Sequence, residues 1–157
     1  MREPVLVSAC LLGRSCRYDG GENRDEVLEA RLEREGLQPV PFCPEEAGGL
    51  STPRPPAWLA GGNAEAVLDG EAGLVTDAGR DVTAAFVSGA EQAVEACRTE
   101  GIRRAFLKER SPSCGVCQTH RDGKRTAGPG VTAAALERAG IRCEGIEGRR
   151  RVDDDLS

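Results

Sequence analysis

Three of the seven cysteines follow short apolar segments of the kind that forms buried β-strands. Cys10 comes directly after the first such segment, Cys43 directly after the second, and Cys114 lies seven residues beyond a later one. The carboxyl ends of parallel strands share one edge of a sheet, and open α/β folds bind ligands at that edge. The three thiols are therefore expected to converge, and a three-thiolate metal centre is the leading hypothesis.

The other cysteines differ in their surroundings. Cys97 lies on the apolar face of a predicted helix and Cys143 within a predicted strand, so both are interpreted as small buried apolar side chains. Cys16 and Cys117 lie in predicted loops, where a thiol is free to bind a metal.

Cys114 and Cys117 have the two-residue spacing of a redox pair or of half a zinc site. The only histidine, His120, follows three residues later, so zinc bound by Cys114, Cys117 and His120 is an alternative. A single pair is weak support, because structural zinc sites usually need two pairs or further histidines. Thioredoxin-like chemistry would place the pair after the first strand, whereas this pair lies in a late loop.

An iron–sulfur cubane is the other centre that thiolates hold, and with only three protein ligands it leaves one iron open. An open iron is a Lewis acid that prefers soft sulfur. Glu45 follows Cys43 by two residues, and Ser111 and Ser113 precede Cys114. A carboxylate there can move protons and a hydroxyl can orient a substrate. The alternative is that Glu45 is a solvated loop acid and Ser111 a turn residue.

The elements that position these residues alternate between strand and helix periodicity. Strands are predicted at 4–9, 37–42, 102–107 and 141–146, and helices at 24–35, from a cap at Asp81 or Thr83 through Cys97, and at 131–139. This order predicts a single three-layer, Rossmann-like α/β domain with a mainly parallel sheet and the cluster site at the carboxyl ends of its strands.

Two long segments rich in glycine and proline, 43–80 and 109–130, are predicted to be loops. The first is expected to hold at most a hairpin through Val67-Leu68 and Leu74-Val75. The domain is expected to span 1–148, and 149–157 to be a flexible tail.

Composition excludes several classes of function. The net charge is −5 and aromatic residues make up 3%, so neither a phosphate-binding face nor base-stacking platforms are indicated, and long nucleic acid is not an expected partner. No apolar run approaches the roughly 20 residues of a membrane span, and the N-terminus has no secretory leader. We expect a cytoplasmic protein without a membrane partner, in which an odd number of cysteines argues against a disulfide scaffold.

Six separated motifs, in the same order, resemble those of the thiouracil desulfurase family of small bacterial proteins. They span 8–13 (SACLLG), 16–21 (CRYDGG), 43–45 (CPE), 53–55 (PRP), 81–83 (DVT) and 111–115 (SPSCG), and the resemblance covers about residues 4–146. It implies a [4Fe–4S] cluster and non-redox desulfuration of a thiolated pyrimidine nucleobase. In that scheme 2-thiouracil binds the open iron through sulfur, water replaces the sulfur at carbon, and uracil and hydrosulfide are released.

The resemblance also implies which cysteines hold the cluster. Cys10, Cys43 and Cys114 match ligand positions, and Cys16 is the alternative third ligand. Cys117 belongs to none of the motifs.

The same resemblance implies roles for polar residues. Glu45 matches the acid–base residue and Ser111 a hydroxyl that orients the substrate, while Ser8 and Ser113 are predicted to bind substrate. A second hypothesis, from a different class, is a zinc or iron–sulfur module with a structural or redox role and no substrate.

Overall fold

Two four-stranded sheets organise the chain in a computed structural model that describes residues 2–152. In chain order the elements are β1 (Glu3–Ser8), a 3-10 turn (Ala9–Leu12), α1 (Glu26–Arg34), β2 (Leu37–Phe42), α2 (Pro44–Ala47), β3 (Ala57–Ala60), α3 (Ala64–Leu68), β4 (Gly73–Thr76), α4 (Thr83–Glu100), β5 (Arg104–Lys108), β6 (Gln118–Arg121), β7 (Lys124–Ala127), α5 (Val131–Arg138) and β8 (Arg142–Ile146).

The first sheet is parallel throughout, with the strand order β2-β1-β5-β8. Val5 and Val7 of β1 pack with Leu28 of α1 on one face, and Leu6 packs with Ala93 of α4 on the other. Strands covered on both faces are apolar at successive positions, which explains the continuous apolar segment in β1. The predicted three-layer, Rossmann-like α/β fold with a mainly parallel sheet is confirmed.

The strand order creates a crevice at the carboxyl ends of β1 and β5. The chain leaves β1 toward β2 on one side, whereas β5 joins β1 on the other, and ligands bind where connections diverge in this way. The Lys108 backbone N–H donates a 2.9 Å hydrogen bond to Ser8 Oγ, which joins the two strand ends.

Aspartate side chains accept hydrogen bonds at the start of two of the predicted helices. Asp25 accepts a 2.9 Å hydrogen bond from the backbone N–H of Leu28 and starts α1. The N-cap of α4 is Val82, so the predicted cap at Asp81 or Thr83 is wrong by one residue, although Asp81 accepts a 2.9 Å hydrogen bond from the N–H of Thr83. The buried face of α4 includes Phe86 and Cys97, as the apolar spacing predicts.

The prediction of a long loop at 43–80 is wrong, because this segment contains α2, β3, α3 and β4. β3 and β4 form an antiparallel hairpin in which Leu59 pairs with Leu74. Val67 lies in α3 and not in the hairpin. Strands of only four residues between prolines and glycines carry little periodicity of their own. Packing of Leu59 and Leu74 against Phe86 of α4 stabilises them.

The segment 109–130 is likewise not all loop, because β6 and β7 form a hairpin that joins β3 and completes the second sheet. Its strands are polar, so apolar alternation could not predict them. The available signal was the turn dipeptide Asp122-Gly123, whose φ angles of 51° and 78° are those that Asp-Gly favours in two-residue hairpin turns.

The expected flexible tail falls partly on residues 153–157, outside the described part of the chain. Its first residues contact the loop before α1: Arg149 Nε donates to Asn23 Oδ1 at 3.0 Å, and Arg150 Nε pairs with Asp25 Oδ2 at 2.8 Å.

Across residues 2–152, none of the helices has the length and apolarity that crossing a membrane requires.

Candidate metal centre

A cavity of about 560 Å³ opens at the carboxyl ends of the first sheet. The structure brings every residue predicted for the site into its wall: Cys10, Cys16, Cys43, Cys114, Ser8, Glu45, Ser111 and Ser113. The assigned ligand and catalytic roles of these residues stay predictions, but their convergence is a structural fact.

The thiol of Cys16 interacts with the thiols of both Cys10 and Cys43. The hydrogen bond from Cys16 lowers the pKa of Cys10 to about 7 in spite of burial, and Asn23 Nδ2 donates a further bond to its sulfur at 3.4 Å. The same neighbour lowers the pKa of Cys43. The pKa of Cys16 is raised, because its proton is shared with two acceptors. Adjacent thiols, two of them with lowered pKa values, form a donor set suited to a soft metal.

Both candidates for the third ligand are in reach of one metal. The ligand atoms of Cys16, Cys43 and Glu46 lie within 4.8 Å of one another. The position of Cys16 is fixed by Arg54, which donates a 2.8 Å bond to its carbonyl oxygen. Cys43 as third ligand, with Cys16 as the alternative, therefore stays a prediction.

Cys114 is held in a buried turn at the cavity floor. Its backbone N–H donates to Ser111 Oγ at 3.1 Å, and Ser113 Oγ lies 3.8 Å from its sulfur. Burial raises the pKa of Cys114 to about 12, although the hydrogen bond with Ser8 acts in the opposite direction and lowers it. Metal binding at such a thiol displaces its proton.

The zinc site through Cys114, Cys117 and His120 is not formed. Cys117 is exposed and outside the cavity wall, whereas Cys114 and His120 line it. The reason is the hairpin, because Cys117 precedes β6 and its carbonyl accepts a 2.8 Å bond from the N–H of Gly128 beyond β7. Of the remaining cysteines, Cys97 is 1% exposed and Cys143 packs partly buried against the core, which fits their interpretation as apolar side chains.

Glu45 is fixed in the cavity wall and is not a solvated loop acid. Pro44 starts α2 directly after Cys43, which places Glu45 in the first turn. Its Oε1 pairs with Arg54 Nε at 2.9 Å, with the two side chains only 13% and 6% exposed. Its Oε2 accepts from Ser113 Oγ at 2.9 Å and from Ser111 Oγ at 3.4 Å.

A close approach between two helices sets the position of α2. A Cβ atom at Gly89 of α4 would lie 2.0 Å from the carbonyl oxygen of Pro44, so only glycine allows this contact. The sequence predicts α4 but gives no sign that Gly89 supports the helix carrying Glu45.

The profile of the 2-thiouracil desulfurase family matches residues 5–146. The chain belongs to the 2-thiouracil desulfurase family. It is 41% identical over 141 residues to the uncharacterised protein YbbK of Bacillus subtilis strain 168, with 88% of this chain and 92% of that protein covered. A solved structure described as a [4Fe-4S]-dependent thiouracil desulfidase, TudS, matches with 45% identity and a TM-score of 0.77, covering 92% of this chain and 91% of that one. The resemblance inferred from the six motifs is confirmed.

The donor set of this desulfurase-family chain fits an iron–sulfur cluster. Four thiols line one cavity, and the sulfurs of Cys16 and Cys43 lie within 4.8 Å of each other. Iron–sulfur clusters are held by thiolates, and three are enough to hold a cubane with one open iron. The residues present would thus accommodate the cluster named for TudS.

The structure adds Glu109, a residue that was not predicted to support the site. Its carboxylate is buried, and Oε1 accepts from the backbone N–H groups of Val116, Cys117 and Gln118 at 2.8, 2.9 and 3.0 Å. A Cβ at Gly145 would lie 1.8 Å from Oε2, so glycine in β8 makes room for this carboxylate. Glu109 holds the chain that follows Cys114. The signal in the sequence was a carboxylate directly after a buried strand.

Replacing Glu109 with alanine is expected to lower the free energy of unfolding by about 2 to 3 kcal/mol, because three backbone donors lose a charged acceptor in a buried site. Urea denaturation measures the effect. Glu147→Ala is the matched control: its ion pair with Arg110 is 60% exposed on the carboxylate side, and we expect less than about 1 kcal/mol. Equal stability of the two variants would contradict a structural role for Glu109.

Proposed function

We propose that this chain is a [4Fe–4S]-dependent desulfidase that converts 2-thiouracil and water to uracil and hydrosulfide. The observation that carries the proposal is the convergence of four thiols and a fixed carboxylate in one cavity. The similarity to TudS supports the cofactor and the substrate class. Cys10, Cys43 and Cys114 would hold the cluster, with Cys16 as the alternative third ligand.

Glu45 performs the proton transfers in this proposal. When bound, the cluster supplies a Lewis-acidic iron for the substrate sulfur. Glu45 removes a proton from the water that forms the new C–O bond, and it returns a proton to a ring nitrogen as the C–S bond breaks. The electron pair of the C–S bond leaves with sulfur. The second proton of the water moves from the new hydroxyl group to this sulfur, so the products are the C=O bond of uracil and hydrosulfide, and no external electron donor is needed. Arg54 fixes the carboxylate through their buried ion pair.

The three serines keep the substrate and the carboxylate aligned. Ser113 donates to Glu45, and Ser111 accepts from the N–H groups of Ser113 and Cys114 at 3.2 and 3.1 Å. Ser8 links Lys108 to Cys114 through its hydroxyl group. In the proposal Ser111 orients the substrate, and Ser8 and Ser113 contact it.

All seven cysteines are free in the structure. Free thiols and an oxygen-sensitive open iron suit a reducing compartment, so we place the enzyme in the cytoplasm.

Anaerobic reconstitution followed by a desulfuration assay tests the proposed function. We expect a brown protein with bound iron and sulfide that releases uracil and hydrosulfide from 2-thiouracil in equal amounts. A colourless chain with one tightly bound zinc, or a brown chain that releases neither product, would contradict the proposal.

Ser111→Ala is expected to reduce the single-turnover rate by about 5- to 150-fold, the effect of leaving buried hydrogen-bonding groups without a partner. Iron and sulfide are measured first, because the same hydroxyl also holds the N–H of Cys114. Ser51→Ala is the control, since that exposed hydroxyl bonds only to the Pro53 carbonyl and is outside the cavity wall. Equal rates in both variants would remove Ser111 from the mechanism.

A further inference from the structure

Two aromatic side chains of the second sheet also line the cavity: Trp58 on β3 and His120 on β6. The parallel register that pairs Leu59 with Arg121 sets Trp58 beside His120. Leu59 and Thr119 are buried, 1% and 2% exposed. Successive side chains of a strand point to opposite faces, so Trp58 and His120 share the face that borders the cavity.

Both side chains offer groups that the fold does not use. His120 Nδ1 lies 3.1 Å from the carbonyl oxygen of Arg110. A carbonyl oxygen only accepts, so Nδ1 carries the proton, and Nε2 of the neutral ring is then an acceptor. Within residues 2–152, neither His120 Nε2 nor the indole N–H of Trp58 has a hydrogen-bond partner in the protein. Gly123 lies beside the indole, since a Cβ built there would be 4.0 Å from Cζ2.

We propose that Trp58 and His120 form the wall that recognises the nucleobase. The indole packs against the pyrimidine ring, and His120 Nε2 accepts a hydrogen bond from a ring N–H. The inference rests on the proposed function and narrows its substrate class to planar thiolated heteroaromatic rings with a free ring N–H. An aliphatic thioamide has no ring to pack on the indole and is a poor substrate for this site.

Trp58 is the only tryptophan of the chain, so its emission reports directly on the wall. The cluster-loaded protein is titrated with uracil, which has no sulfur and is not turned over. We expect a saturable change in tryptophan emission, with half-saturation at the concentration that gives half-maximal inhibition of desulfuration. Competitive inhibition by uracil without any change in emission would overturn the proposal.

Variants test the same wall by kinetics. Trp58→Leu is expected to raise KM for 2-thiouracil about tenfold or more, the scale of base–aromatic stacking, with a smaller change in kcat. His120→Leu is expected to raise KM and to lose the preference of the wild type for 2-thiouracil over its 1-methyl or 3-methyl derivative. His120→Gln, which retains an acceptor, should restore part of this preference.

Lys124→Ala is the matched control, because Lys124 is exposed on the same hairpin and outside the cavity wall. Its KM should equal that of the wild type. If Trp58→Leu and His120→Leu keep KM values within twofold of wild type at full iron content, the proposal that these residues recognise the nucleobase is refuted. The proposed desulfuration activity would not be affected by that result. A wild-type chain that binds no cluster and releases no hydrosulfide would refute the proposed function itself. The emission titration uses the unaltered protein, so it shows whether the nucleobase packs against Trp58 even if a variant fails to fold.

Discussion

Serine in place of Cys10, Cys43 or Cys114 is expected to abolish the iron–sulfur cluster and with it all desulfuration. A hydroxyl is a harder and weaker ligand for iron than a thiolate, and a cubane held by three residues has no spare protein ligand. Iron and sulfide per chain after anaerobic reconstitution, together with the visible absorbance, measure the effect. Each variant should be colourless and folded.

Cys117→Ser is the matched control for these variants. Cys117 is exposed and lies only three residues after Cys114, but outside the cavity wall, so its loss should leave the cluster intact. Full cluster content in Cys43→Ser together with loss in Cys16→Ser would assign the third ligand to Cys16. Loss of the metal in Cys117→Ser would instead favour a metal-binding module.

Glu45→Gln is expected to lower the single-turnover rate by about 10²- to 10⁴-fold, the range typical of general acid–base catalysis. Glutamine keeps the shape of the side chain and an acceptor for Arg54 Nε, but it cannot take a proton from water. The cluster should remain, because Glu45 is not one of the proposed ligands. Iron and sulfide content and thiouracil binding are therefore measured before the rate.

Glu46→Gln is the control, because Glu46 is the neighbouring carboxylate of α2 and bonds to Thr52 rather than to Arg54. Its iron and sulfide content is measured first, because a Glu46 oxygen lies within 4.8 Å of the Cys16 and Cys43 sulfurs, and at full content its rate should stay near that of the wild type. A wild-type rate in Glu45→Gln with the cluster present would transfer the proton-transfer role to another group. A low rate in both variants would point to a general effect of charge near the cavity.

Several strands and helices, and the positions of two cysteines, could be predicted from the sequence alone because they depend on residues that are close together in the chain. The apolar segment of β1, covered on both faces, marked a central parallel strand, and the spacing of apolar residues marked α4. Cys43 comes directly after β2 and Cys10 two residues after β1, so the sequence placed both at one edge of the sheet without knowledge of any contact. Six short motifs in fixed order were enough to identify the family.

Only the tertiary structure decided how the site is held together. The second sheet is made of four-residue strands whose apolar residues show little periodicity. These strands form because they pack on α4 and α5. Sequence patterns therefore could not show that Trp58 and His120 border the cavity. The pairing of Glu45 with Arg54 joins α2 to a proline-rich loop, and the three hydrogen bonds to Glu109 depend on space at Gly145 in β8. The sequence lists the donors and acceptors of these contacts. Which of them meet depends on chain segments far apart in sequence, and packing of the whole fold is what brings those segments together.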